Sequence, residues 1–575
     1  MNYFSRLLLL LAAWSSLLPT AQAQAPAFDR AIACASGQGN YGWGPEQVVV
    51  DGQGNSYVTG TFNGTVLLGN TLLTATVASP VSTMPSDVFV AKLDVAGNYL
   101  WAVQMADNQS VGIGGLAVDM VGNVYLTGGF DSFRVSFGTN GPVLFNSSAN
   151  SEAFVAKLDG RTGQWLWARR AGGVGNDYAG SVAINAVGDA YIVGDSQSGT
   201  AGFGAFTLAS PGAFIAKISS AGVWRWARLV GTGQVGVSQV LCDSGGDLFL
   251  AGAFRGPSAA FGATTLTTNG IPGSPYAARG GDLFVGRMTD AGAWVWAVQG
   301  DALTHQNLIH GASLAADGAG HLYVTGAYES TAARIGTTVL PNASVLYPPP
   351  VGPPGPPPFT NHYFSDAFVA RLDAATGAWD WAVRNGGPYA EGGTTPVADP
   401  QGRVYLLGSF DNATIAGEGV KLAQLDGATG AWRTAQMLAP LGIWHLALDG
   451  QSRLHLAGFF DGATATFGPL TLTSAGAGRT TGFLARLHAG PLATAAPTRP
   501  GPVLTVWPNP SGRGPVWVQG PQPGQPVEVF DALGRRVTQG KMPSNGPLEL
   551  QLPALLPPGV YVVRGGGQAQ RLQVE

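Results

Sequence analysis

Cysteine is nearly absent: Cys34 and Cys242 stand alone among 575 residues. Two thiols cannot staple a loop-rich scaffold, so a core must hold the fold together. In an oxidising compartment a bridge between them stays open, but isolated cysteines in different repeats read first as small core residues. Neither has a base nearby that would make it a nucleophile. Charge is equally scarce. Asp, Glu, Lys and Arg make up 11% of the chain, the net charge is −4, and no long Lys/Arg cluster occurs. The electrostatic footprint of a nucleic-acid binder is missing, so no nucleic-acid partner is expected. Beyond the N-terminus no uninterrupted apolar run reaches the length of a membrane-spanning helix, so no transmembrane segment is expected in the mature chain.

Glycine, by contrast, supplies 85 residues. Few charges and many glycines suit short strands joined by tight turns, so an all-β fold is expected. The length suits a large core plus an appendage. Residues 1–23 read as a secretory signal peptide: Arg6, an apolar run from Leu7 to Leu18, then Ala21-Gln22-Ala23 before a cleavage at Gln24.

From there a long-period repeat with four recurring pieces organises the chain. An apolar strand ends at an Asp-Gly turn, as in Gln47–Asn55, Leu116–Asn123 and Ser313–His321. A second strand follows at once, as in Val124-Tyr-Leu-Thr-Gly-Gly-Phe130. The third is Asp87-Val-Phe-Val-Ala-Lys-Leu-Asp94 and its relatives. The fourth carries paired aromatics: Tyr99/Trp101, Trp165/Trp167, Trp224/Trp226, Trp294/Trp296 and Trp379/Trp381, with a weaker copy at Trp432. The first three pieces occur seven times and the fourth only six. Phe28–Ala31 matches the missing fourth strand, as a circularly closed array would produce. The expectation is a seven-bladed β-propeller over 24–488, closed by an N-terminal strand that leaves only short protected edges. Residues i and i+2 of a strand share a face, so the recurring tryptophan pairs read as packing between blades and not as a ligand platform. The repeats resemble the bacterial SBBP-type propeller repeat, a family defined by fold more than by one activity.

A Pro/Ala linker spans 489–502, and 503–575 reads as a small Ig-like β-sandwich. Pro508-Asn509-Pro510, Asp531-Ala-Leu-Gly-Arg535 and the Pro558-Gly-Val-Tyr-Val-Val-Arg564 strand, in that order, resemble the type A C-terminal sorting domain of type IX secretion. That resemblance implies the type IX machinery as partner and a protein released outside the cell or held at its surface.

Long, variable connections join the second to the third piece and the fourth to the next unit's first. Antiparallel alternation puts both classes at the same end of the disc, and function is expected on these loops over a rigid scaffold. They carry Asn40, Tyr41 and Trp43; Asp107 and Asn108; Asn176, Asp177 and Tyr178; Asp301, His305 and Asn307; Tyr389 and Glu391; and Trp444. Aromatic faces beside amides and carboxylates suit a glycan or a polar peptide. The leading expectation is a secreted or cell-surface binding protein, monomeric and without cofactor, for a glycan or a surface protein. The alternative is a polysaccharide-degrading enzyme, a hydrolase or lyase, using carboxylates such as Asp177 and Glu391. No catalytic residue is assigned. His305 and His310 lack a third ligand, and the Asp-Gly hairpins offer one carboxylate each, too few for calcium, so no metal site is expected. A proline-rich insert at 340–364 favours an extended arm that cannot join a sheet.

Overall fold

A computed structural model of the chain describes residues 28–36, 44–76, 87–107, 111–146, 148, 150–209, 211–268, 281–303, 309–343, 365–386, 392–393, 395–409, 420–438, 441–474 and 480–488, and, further on, 505–507, 511, 515–519, 523–531, 535–544, 546–553, 556–565 and 568–574. The signal peptide, the linker and most of the proline-rich insert lie outside them. All regular structure among the described residues is β. Contacts divide the chain into two units, meeting at Thr494 and Ala495.

The larger unit is propeller-like. Each repeat is an antiparallel sheet whose strands follow chain order, as in Val111–Val118, Val124–Phe130, Glu152–Leu158 and Trp165–Ala171. In the seventh repeat the three strands Leu441–Leu448, Arg453–Asp461 and Thr480–His488 are followed in the sheet by Phe28–Ser36, with Phe28 opposite Leu487 and Cys34 opposite Gly482. First strands from all seven repeats line one cavity of about 640 Å³.

The second strands are buried over most of their length, as in Ser56–Phe62 and Val124–Phe130, because sheets cover both faces. Where the first strand bulges, its carbonyl presses on a glycine of the second: a Cβ on Gly128 would sit 2.0 Å from the Gly112 carbonyl oxygen, and one on Gly194 1.9 Å from that of Tyr178. The Asp at each first turn caps it. Asp119 Oδ1 accepts the amides of Val121 at 3.1 Å and Asn123 at 2.7 Å, and Asp51, Asp317, Asp399 and Asp449 repeat the pattern. These carboxylates are thus engaged by the turns themselves.

The two tryptophans of a pair have separate jobs. The first packs on its own repeat: Trp165 meets Phe137 edge-on at 4.9 Å, and Trp224 meets Phe203 at 5.4 Å. The second reaches into the next repeat. Trp167 donates its Nε1 hydrogen to the Ser220 carbonyl at 3.0 Å and covers Gly222, where a Cβ would come within 2.8 Å of the indole. Trp101 and Trp381 bond Gly160 and Gly427 in the same way. The residue between each pair is exposed, as at Leu100, Leu166 and Val295.

Inside the long second-to-third connection sits a short hairpin that the sequence reading treated as loop. Examples are Thr65–Leu68 with Thr71–Thr74 and Arg134–Phe137 with Val143–Phe145. Three of the six described pair with the outer strand of the preceding repeat: Val135 lies opposite Asp107, Leu67 opposite Ala35 and Ala333 opposite Ala302.

The C-terminal unit has two antiparallel sheets. One contains Thr505–Trp507, Val516–Gln519 and Leu548–Leu550; the other contains Arg536–Lys541, Pro526–Phe530, Gly559–Gly565 and Gln568–Val574. Val516, Val518, Val527, Val529, Val563 and Leu572 fill a core between them.

Candidate functional site

A β-bulge interrupts the innermost strand near its start in six of the repeats, and the position around it decides what those repeats show at the long-loop end of the cavity. Three repeats place glycine there, while the fifth places His310 opposite Ala327. Opposite the second strand stand Gly112, Gly236 and Gly442. Four further departures from this plain pattern fall in the seventh, first and third repeats. Trp444, at the seventh repeat's bulge, is 39% exposed and meets Phe459 edge-on at 5.7 Å. Glu46, at the first repeat's bulge, accepts the Thr61 hydroxyl at 2.6 Å, and burial pushes its carboxyl upward. Tyr178, in the third repeat, lies over Gly112 and Gly129 of the second and donates its hydroxyl to the Ile113 carbonyl at 2.5 Å. Desolvation, and then the charge of Glu46 in the first repeat, push the Tyr178 phenol up to about 12. Asp195, opposite Tyr178, is pushed up to about 6 by desolvation, with no cation offsetting it. The result is an arc of three aromatic rings and two carboxyls around a glycine-floored mouth.

Of the residues singled out in the sequence, Tyr178 and Trp444 belong to this arc. Asp177 and Asn176 are close by, Asp177 facing inward and Asn176 exposed. Asp177 is 1% exposed, and its carboxylate accepts the Ser198 hydroxyl at 2.8 Å, the Gly173 amide at 2.7 Å and the Ser196 hydroxyl. Asn176 ties two long loops together, accepting the Ser151 amide at 3.1 Å and donating to Gln197. Asp301 is buried and holds Arg334 of the next repeat's hairpin at 2.9 Å. Asp107 ends the first repeat's outer strand, paired through its backbone with Val135. Asn40, Tyr41, Trp43, Asn108, His305, Asn307, Tyr389 and Glu391 lie outside the described residues.

Glu46, Asp195 and Phe459 were missed by sequence reasoning. The available signal was their departure from the glycine and small residues that sister repeats carry at the same register.

Below the mouth, the polar side chains of the cavity wall clasp neighbouring repeats. Gln47 donates to the Gly114 carbonyl at 2.8 Å, Ser181 accepts the Val240 amide at 3.3 Å, and Gln239 accepts the Leu314 amide at 2.6 Å. His445 bonds the Val48 backbone across the junction of the last and first repeats, and its burial pushes the imidazole down to about 4. Both thiols are free: Cys34 sits buried against the Tyr99 hydroxyl at 3.2 Å, and Cys242 lies in the cavity wall.

No family model matches the chain. An uncharacterised WD repeat-containing protein of Acanthamoeba polyphaga mimivirus is 30% identical over 155 residues, covering 26% of this chain and 11% of that protein. The chain therefore matches about a tenth of that relative's length. Among solved structures, a Dyadobacter fermentans protein of unknown function aligns over 81% of this chain and 100% of its own, at 9% identity and a TM-score of 0.37. The WD40 repeats of RRP9 align over 81% and 99%, at 10% identity and a TM-score of 0.41. The WD40 propeller domain of Doa1 aligns over 81% and 100%, at 9% identity and a TM-score of 0.38.

Proposed function

We propose that the chain is a secreted or cell-surface binding protein: a seven-bladed propeller closed by its N-terminal strand, recognising a glycan or a protein at the long-loop mouth and exported through type IX secretion by way of 503–575. The mouth supports binding because its conspicuous side chains fall where the repeat needs only small residues. Trp444, Tyr178 and Phe459 offer apolar faces, while Glu46 and Asp195 offer acceptors for hydroxyl or amide donors. That departure from the repeat carries the reading. The mature chain is expected to bind on glycan or surface-protein arrays, and Trp444→Ala with Asp195→Asn to lose the signal without a change in melting temperature. Binding that survives both substitutions sinks the mouth as the site.

The enzymatic alternative loses one of its two carboxylates, since Asp177 is committed to Ser196, Ser198 and Gly173. Export has its own test: a chain ending near Pro502 should stay in the periplasm, and its appearance outside would refute the sorting role.

A further inference from the structure

At three junctions between repeats the short hairpin extends the preceding sheet to six strands: Thr65–Leu68 on Phe28–Ser36, Arg134–Phe137 on Tyr99–Asp107, and Ala332–Ile335 on Trp294–Ala302. At the junctions after the second, third and sixth repeats it does not. After the second and third, Ala201–Phe203 with Phe206–Leu208, and Ser258–Phe261 with Thr264–Thr267, form separate two-stranded sheets, so Trp165–Ala171 and Trp224–Leu229 end theirs. Among the described residues these two seams keep one isolated bridge, Gly172 with Gly202, and a pair of bonds at Thr232, whose amide donates to the Ala260 carbonyl at 3.0 Å and whose hydroxyl accepts the Ala260 amide at 3.2 Å. A groove opens at each of the two, about 780 Å³ between Leu144, Arg169 and Trp224, and about 750 Å³ between Arg228, Met288 and Trp294.

The same two outer strands depart from the repeat in charge. Where the first and fourth repeats place Val103 and Val298, they place Arg169 and Arg228. Each guanidinium stands 5.9 Å over the second tryptophan of its pair. Arg169 bonds the Gly222 and Ala168 carbonyls at 2.9 and 2.8 Å, and Arg228 the Ala291 carbonyl at 3.3 Å. Among the described residues neither meets a carboxylate, whereas Arg170 beside Arg169 is held by Glu152 at 2.7 Å. Two exposed, pinned and unneutralised cations thus border two open sheet edges in a chain of net charge −4.

We propose that these outer edges are docking sites for an extended acidic peptide of a partner protein, which adds as a strand beside Trp165–Ala171 or Trp224–Leu229 and places carboxylates on Arg169 and Arg228. An open edge repeats its unpaired amide and carbonyl groups at the spacing of another extended backbone, a match that a sugar chain lacks. Arginine held flat on an aromatic ring keeps outward donors suited to a carboxylate. The site is independent of the mouth, so either can fail alone.

The test is titration of the mature full-length chain with a blocked peptide of alternating Glu and Val, matched to the 7-residue strand at Trp165. Binding is expected. It should weaken roughly tenfold or more in the Arg169→Val, Arg228→Val double variant, as loss of charge-assisted hydrogen bonds implies. Valine stands at this position in three sister repeats, as Val103, Val298 and Val383, so the melting temperature should hold. A Gln-for-Glu peptide should also bind more weakly, and N-methylation on alternate Val residues should abolish binding. Absence of binding, affinity unchanged in the double variant or by N-methylation, or capture of polygalacturonate in place of the peptide each overturns the proposal.

Discussion

Trp167 shows how much one residue type does in this array. Its ring fills the seam between the second and third repeats, and its Nε1 hydrogen shares the Ser220 carbonyl of the next repeat's turn with the Lys157 ammonium. Trp167→Ala should cost about 3–5 kcal/mol, in the range of large aromatic truncations, whereas Leu166→Ala beside it, half exposed, should fall within about 0.5 kcal/mol. Denaturant titration of both variants decides the matter, and equal losses would remove the seam role. His445 makes a pH prediction. Its folded value lies near 4 against 6.5 for the free group, so between those values the unfolded chain binds a proton that the folded chain refuses. Stability therefore falls on acidification from pH 6.5 towards 4 and levels off below, by at most about 3 kcal/mol from this group. His455, also depressed by burial, pulls in the same direction. Comparing melting temperatures at pH 7 and 5 for the native chain and His445→Gln should show a smaller acid loss in the variant.

At the level of the element, the strand Phe28–Ser36 is where the array begins and where its last sheet ends. Phe28 packs edge-on to Phe467 at 5.4 Å, Cys34 is buried, and Asp29 holds Arg486 at 2.9 Å. Deleting Gln24–Ser36 strips the Thr480–His488 strand of its neighbour and should lower the melting temperature by roughly 10 °C or more; an unchanged melt would mean the strand is dispensable. Pairing of this strand was legible because its aromatic and small residues copy a piece that the seventh repeat lacks. The hairpins were not read, although apolar-Gly pairs at Leu68-Gly69, Phe137-Gly138, Phe203-Gly204, Phe261-Gly262, Ile335-Gly336 and Phe467-Gly468 mark every one of the six described. With three or four residues a side, they carry too little alternation to stand out from loop. Side-chain roles were less legible still. Asp177 reads as a loop carboxylate until Ser196 and Ser198 close on it, and those partners lie a strand away. In the third repeat Asn185 takes the place of the capping aspartate, and Asp290 of the fourth repeat supplies the carboxylate to Tyr191 and Lys217 instead. No local pattern announces such a loan. Asp290→Asn should cost more stability than the same change at Asp243, which serves its own turn through backbone amides; urea midpoints compare the two.

Across the whole array, stability is distributed over junctions between repeats more than within them. Tryptophan, lysine, cavity-wall glutamine and back-leaning hairpin all bind one repeat to the next, as at Trp101, Lys157, Gln47 and Val135. A lone repeat would leave these groups uncovered, so the array should melt in one cooperative transition and not repeat by repeat.

The antiparallel pairing of Phe28–Ser36 with Thr480–His488 has a mechanical consequence. Phe28 lies opposite Leu487, so tension applied between the two ends of the array enters at one corner of one sheet. Its rungs would be loaded singly, from Phe28 towards Cys34, in the manner of a zip. Force spectroscopy on the chain, held at its termini, should therefore find a low first rupture that frees the N-terminal strand from Thr480–His488, ahead of the rupture of the remaining sheets.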